Sequence, residues 1–108
     1  MNENSFMVQL GWFTPQEIIT ARQEQGVVGD LAGYSFFNIQ GKPVDTVINN
    51  RVIGLSLEQL RAIPCVIAIA SESTKATAIL GALRTGVIDV LATSASNART
   101  VIHLHNAL

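Results

Sequence analysis

The sequence predicts an α/β domain built around a parallel β-α-β unit with flanking helices, and three observations carry that prediction. "CVIAIA" at 65–70 is apolar at every position and rich in β-branched residues, and "VIDVLA" at 87–92 nearly repeats it. This is the texture of strands buried on both faces. Between them Ala76, Ile79, Leu80 and Leu83 recur at helical spacing, and Gly86 closes the helix. Strands joined through a helix pair in parallel, with a right-handed crossover.

The remaining elements follow in order. "TPQEIITARQEQG" sets Thr14 as an N-cap, Pro15 at the first helical position, Glu17 three residues after the cap, and Gly26 at the close. Trp12 and Phe13, just before that cap, read as a packing staple. "VVGDLAGYSFFNIQGKPV" reads as a strand pair with a glycine-flexed entry around Asp30, and "QGKP" as a turn between extended segments. "RVIGLSLEQLRAIP" predicts a short strand running into Ser56, which caps a short helix together with Gln59 and stops before Pro64. A last helix is expected from about Ser96 through His105.

The chain has 108 residues, 48% apolar and 14% charged, which makes room for one small domain and not for two. So much apolar surface on so short a chain predicts association, or missing chain. Its seven basic residues are scattered and the net charge is −1, so no stripe exists to follow a nucleic-acid backbone. Cys65 is the one cysteine; inside an apolar run it reads as a buried core thiol in a reducing compartment, not as a nucleophile. The N-terminus carries no basic leader with an apolar core, and no apolar run reaches the length of a membrane span, so a cytoplasmic location is expected.

In open parallel sheets, ligands bind beyond the carboxyl ends of strands, where helix N-termini present free N–H groups. Two loops here take that position. "SEST" after Ala70 supplies Ser71 and Ser73 and leads to Lys75; "TSAS" follows Ala92. A lysine in the first turn of a helix stands against the dipole unless an anion shares the site. Lys75 therefore either faces an anionic ligand or is solvated beside Glu72. Asp30, between Gly29 and Gly33, either accepts hydrogen bonds from sugar hydroxyls or satisfies its own turn. His103 and His105 are two residues apart and face different sides of a helix, so no metal site is expected. A GxSxG elbow is absent from the sequence.

"GVVGDLAGYSFFNIQGKPV", "NNRVIGLSLEQLRAIPCVIAIA" and "KATAILGALRTGVIDVLATSASNAR", in that order and spacing, resemble the C-terminal part of the SorC family of sugar-binding transcriptional regulators. The resemblance runs from about Gly11 to Leu104. It implies a partial Rossmann-like fold of the NagB/RpiA/CoA-transferase type that binds a phosphorylated sugar, needs no cofactor and is not an enzyme. In that family the aspartate of the GD motif contacts the sugar and the lysine before the "AI..ALR" helix contacts its polar or phosphate end, roles that map onto Asp30 and Lys75. Ser71 and Ser73 join them as expected ligand contacts. Relatives usually carry a glycine pair where this chain has "SES", and an acidic residue at the place of Ser94, so a narrower site is expected.

A full-length member also has a helix-turn-helix domain and a first half of the effector domain. Residues 1–108 are therefore expected to be the C-terminal portion of a sugar-binding domain, homo-oligomeric, and to meet DNA only through a helix-turn-helix that this chain lacks. Two other readings stand beside this one. An isomerase or deaminase relative would need a general base, for which only Asp30 or Glu72 could serve. An oligomerisation piece or inactive remnant would need only the apolar surface.

Overall fold

The computed structural model describes residues 5–31 and 35–107, apart from the side chain of Asn50. It is a mixed helix and strand domain in which two small sheets share one helix. α1 (Phe6–Gln9) is a single turn capped by Ser5. α2 (Pro15–Gln23) begins as its local chemistry dictates: the Thr14 hydroxyl accepts from the Glu17 N–H, and the Glu17 carboxylate accepts from the Thr14 N–H. Phe13 and Ile18 bracket that cap in one buried cluster with Ala21, Val27, Phe36 and Ile48. Trp12 is no part of the staple; it stands 58% exposed.

β1 (Val27–Leu31) and β2 (Ser35–Asn38) pair antiparallel, with an irregularity in register between Val27 and Gly29. After β2 the expected turn forms at Gly41, with φ of +80°. The Asn38 side chain accepts from the Gln40 and Lys42 N–H groups there, and Pro43 returns to bridge with Phe37. Gly33, the other glycine beside Asp30, lies outside the described residues.

The short strand expected before Ser56 does not form. Arg51 ends a 3-10 turn (Val47–Arg51), and among the described residues the chain beyond it finds no partner strand, leaving Ile53 fully exposed. α3 (Leu57–Arg61) then starts on the Ser56–Gln59 capping box and buries Leu57 and Leu60 against Val87.

β3 (Ile67–Ile69), α4 (Ala76–Arg84) and β4 (Val90–Ala92) make the expected β-α-β unit, with the strands parallel. α5 (Ala95–Ala107) packs on α4 through Val101, closing a core with Ala76, Ile79 and Leu80. Burial of β3 and β4 on both faces is not what the structure shows. Leu91 and Ala70 pack against the α4–α5 core, while Ile67, Ile69 and Val90 point away from it and are exposed. Cys65 is exposed as well, because it precedes β3 beyond the cover of either helix.

Two glycines let the sheets meet. A Cβ on Gly29 of β1 would come within 3.0 Å of Ala78 Cβ on α4, and one on Gly81 of α4 within 2.7 Å of Val28 Cγ2. Only backbone this bare allows α4 to lie directly on β1. Its opposite side serves the β3–β4 sheet, so α4 is common to both.

Candidate functional site

The close approach of α4 to β1 brings two distant residues to one place. Asp30 follows Gly29 on β1, and Lys75 immediately precedes α4; both line a cleft of about 270 Å³ together with Ala68, Ile69 and Ala70 at the carboxyl end of β3. Among the described residues of that lining, Asp30 and Lys75 are the only charged side chains, and the rest is mostly apolar. A charged group in such surroundings selects ligands by a few strong contacts.

Lys75 does not sit within the first turn of α4, where the sequence put it. The Glu72 carbonyl captures the Lys75 N–H at 3.1 Å, winding Ser73–Lys75 into a 3-10 turn, and Lys75 becomes the N-cap residue of α4. Its ammonium is 3.9 Å from the Glu72 carboxylate, a pair with side chains 42% and 74% exposed. Such a pair contributes little and leaves the ammonium free to meet a stronger anion.

The Asp30 side chain keeps open surface toward solvent but stands against densely packed protein. That partial desolvation pushes its carboxyl above the usual carboxylate range, while nearby positive charge, of which Lys75 supplies the smaller part, draws it back down. Among the described residues no side chain hydrogen-bonds to it, so toward them its oxygens are open to a ligand hydroxyl.

Ser71 and Ser73 are exposed on the loop before Lys75 and do not contribute to the cleft lining. The residue that fixes this loop is one the sequence reading passed over. Asn97, buried in α5, donates from Nδ2 to the Glu72 carbonyl at 3.0 Å and to Thr93 Oγ1 at 3.3 Å. Thr93 Oγ1 in turn donates to the Ala70 carbonyl at 2.5 Å, and Ser94 Oγ accepts from the Asn97 N–H. The loops after β3 and β4 are thereby tied together behind Lys75. A polar residue in line with Val101 and Leu104, the apolar inward stripe of α5, was the available signal.

No group of three histidine, cysteine or acidic side chains among the described residues could hold a metal ion, and no helix among them is long and apolar enough to cross a membrane.

The chain is similar to known proteins over most of its length. Residues 1–103 match the family model Sugar-bind, described as "Putative sugar-binding domain". The transcriptional regulator LsrR of Escherichia coli O139:H28 is 39% identical over 79 residues, which are 72% of this chain and 25% of that protein. LsrR of Enterobacter sp. strain 638 is 36% identical over 90 residues, 82% of this chain and 27% of that protein. The chain thus spans about a quarter of the length of these curated relatives.

Two solved structures superpose closely. The "Putative Sugar-Binding Domain of Transcriptional Repressor from Vibrio fischeri" is 57% identical with a TM-score of 0.86, over 96% of this chain and 41% of that one. A DeoR family transcriptional regulator from Listeria monocytogenes is 39% identical with a TM-score of 0.80, over 91% of this chain and 39% of that one. With nearly the whole chain matched by the family model and its fold shared with these structures, the protein belongs to the sugar-binding domain family of SorC-type transcriptional regulators.

Proposed function

We propose that this chain is the effector-sensing piece of a sugar-responsive transcriptional regulator and that it binds a phosphorylated sugar without chemical turnover. The observation that carries the reading is the pairing of Asp30 with Lys75 in one otherwise apolar cleft at the carboxyl end of β3. Asp30 accepts hydrogen bonds from sugar hydroxyls. Lys75, at the start of α4, takes the phosphate, and Ser71 and Ser73 remain at hand on the exposed loop. Residues 1–108 would then be the C-terminal portion of a cytoplasmic, homo-oligomeric regulator that reaches DNA through a separate helix-turn-helix.

Hexose and pentose phosphates, each beside its unphosphorylated sugar, test this by their effect on the thermal midpoint, since a ligand of the native state alone must raise it. One sugar phosphate is expected to raise the midpoint and its parent sugar to do less. Lys75→Ala should cost about 1.5–3 kcal/mol of binding, as for a lost hydrogen bond to a charged group. A midpoint unmoved by every sugar phosphate at millimolar concentration contradicts the proposal. Conversion of the sugar phosphate, lost in Asp30→Asn, would restore the enzyme reading.

A further inference from the structure

Lys75 does not meet an anion alone. Its ammonium stands 3.9 Å from the Glu72 carboxylate, and the cleft it borders carries a second carboxylate, Asp30. Among the described residues, an incoming anion therefore finds one positive charge and two negative ones.

Glu72 is kept beside Lys75 by its own backbone. Its carbonyl accepts from the Lys75 N–H at 3.1 Å and from Asn97 Nδ2 at 3.0 Å, so the carboxylate extends from an anchored root. The pair of side chains is too exposed for its attraction to matter much to stability, but the negative charge stays in place when a ligand arrives. A phosphoryl group bonded to the Lys75 ammonium, at about 2.8 Å, stands roughly 6 Å from that carboxylate. At such a separation one unit charge acting on another changes an equilibrium about threefold even in water. A phosphate monoester carries close to two charges above its second pKa of about 6, and so meets that factor nearly twice over.

We propose that Glu72 is a specificity-determining residue of the cleft: its carboxylate lowers the affinity of Lys75 for doubly charged phosphate, so that a ligand is retained only when its hydroxyls also bond to Asp30. This role rests on the reading of the cleft as a sugar-phosphate site, and it adds what the site rejects. Inorganic phosphate and free polyphosphates, which an unopposed ammonium takes up alike, are held off by Glu72. The sugar end of the ligand then decides occupancy.

Methyl phosphate and methyl sulfate test this, because at about pH 8 they share a shape and differ by one charge. Each is titrated into the isotope-labelled 108-residue chain, and its dissociation constant is read from the backbone amide shifts of residues 72–76. Glu72→Gln keeps the length of the side chain and both bonds to the carbonyl of residue 72. It is expected to tighten methyl sulfate about threefold and methyl phosphate about tenfold, with both gains shrinking in about 0.5 M salt. Lys75→Ala is expected to lose both esters. An equal gain for the two esters overturns the role of Glu72, as do esters that move no amide in either chain. In those cases a sugar phosphate that still raises the thermal midpoint leaves the sugar-phosphate reading standing. A midpoint unmoved by every sugar phosphate removes that reading, and this role with it.

Discussion

Gly81 of α4 lies so near Val28 of β1 that a Cβ on the glycine would stand 2.7 Å from Val28 Cγ2, and also 3.0 Å from the Asn38 carbonyl oxygen. Contacts that short are closed to every other residue. They hold the helix that Lys75 caps against the strand that carries Asp30.

Gly81→Ala sets two effects against each other. Alanine in a helix interior gains about 1 kcal/mol over glycine, whereas forcing a methyl group into a filled space costs about 1–3 kcal/mol. The Val28 side chain can turn aside, but the Asn38 carbonyl is backbone and cannot. The net expectation is a loss of about 1–2 kcal/mol, read as a midpoint lower by several degrees for a domain of this size. A more stable variant would mean that α4 stands off β1 in solution.

Asn97→Ala removes the two hydrogen bonds that tie the Glu72 carbonyl to Thr93. The expected cost is about 1–2 kcal/mol, since the Glu72 carbonyl still accepts from the Lys75 N–H and sits in an exposed loop open to water. Amide exchange in 71–75 should quicken in step. Unchanged exchange there would show that Asn97 does not organise the approach to Lys75.

Two carboxylates respond to pH with opposite sign. Glu17 accepts from Arg51 Nη2 at 2.7 Å and from the Thr14 N–H, and these bonds hold its carboxyl below the usual range. Its stabilisation is present above the ordinary glutamate value and is lost as pH falls through the lowered one. Asp30 is raised by desolvation, so the folded state holds its proton more tightly than the unfolded chain does. Stability is therefore lost as pH rises from the ordinary aspartate value, about 3.9, through the raised one. Midpoints from pH 3 to 7 should show Glu17→Gln below the parent at pH 7 and Asp30→Asn above it, both differences shrinking in acid. Asp30→Asn below the parent at pH 7, without ligand, would mean that the carboxylate is already satisfied within the protein.

Cys65 is exposed in the folded chain. A disulfide reagent should modify it in the native state at a rate near that of a free thiol, without denaturant. Cys65→Ser should change stability by no more than about 0.5 kcal/mol. Protection that ends only on unfolding would restore the buried thiol that the apolar run around it suggests.

The features legible in the sequence are those whose cause lies within a few residues. Thr14 and Glu17, and Ser56 and Gln59, cap their helices because each partner is three residues away. The turn at Gly41 and the close of α4 before Gly86 likewise need only a backbone that tolerates positive φ. Asp30 and Lys75 were open candidates on local pattern, one beside a glycine and the other at a helix start, and only the resemblance to the family singled them out.

What only the tertiary structure decided is which surfaces meet. Composition shows Ile67 and Ile69 to be apolar, yet α4 and α5 cover one side of β3 and leave these two residues in solvent. Among the described residues no strand pairs with the segment after Arg51, which meets β2 where the Ser35 hydroxyl donates to the Leu55 carbonyl, so it stays irregular. Asn97 stands out in sequence only as a polar residue on a helix stripe, and what it holds is set when α5 docks and brings its amide to the loop after β3. Burial, pairing and the approach of Asp30 to Lys75 depend on atoms far away in the chain, and local sequence carries no record of those distances. The chain by itself determined its helix ends, its turns and its β-α-β order; packing decided the depth of each side chain and the shape of the cleft.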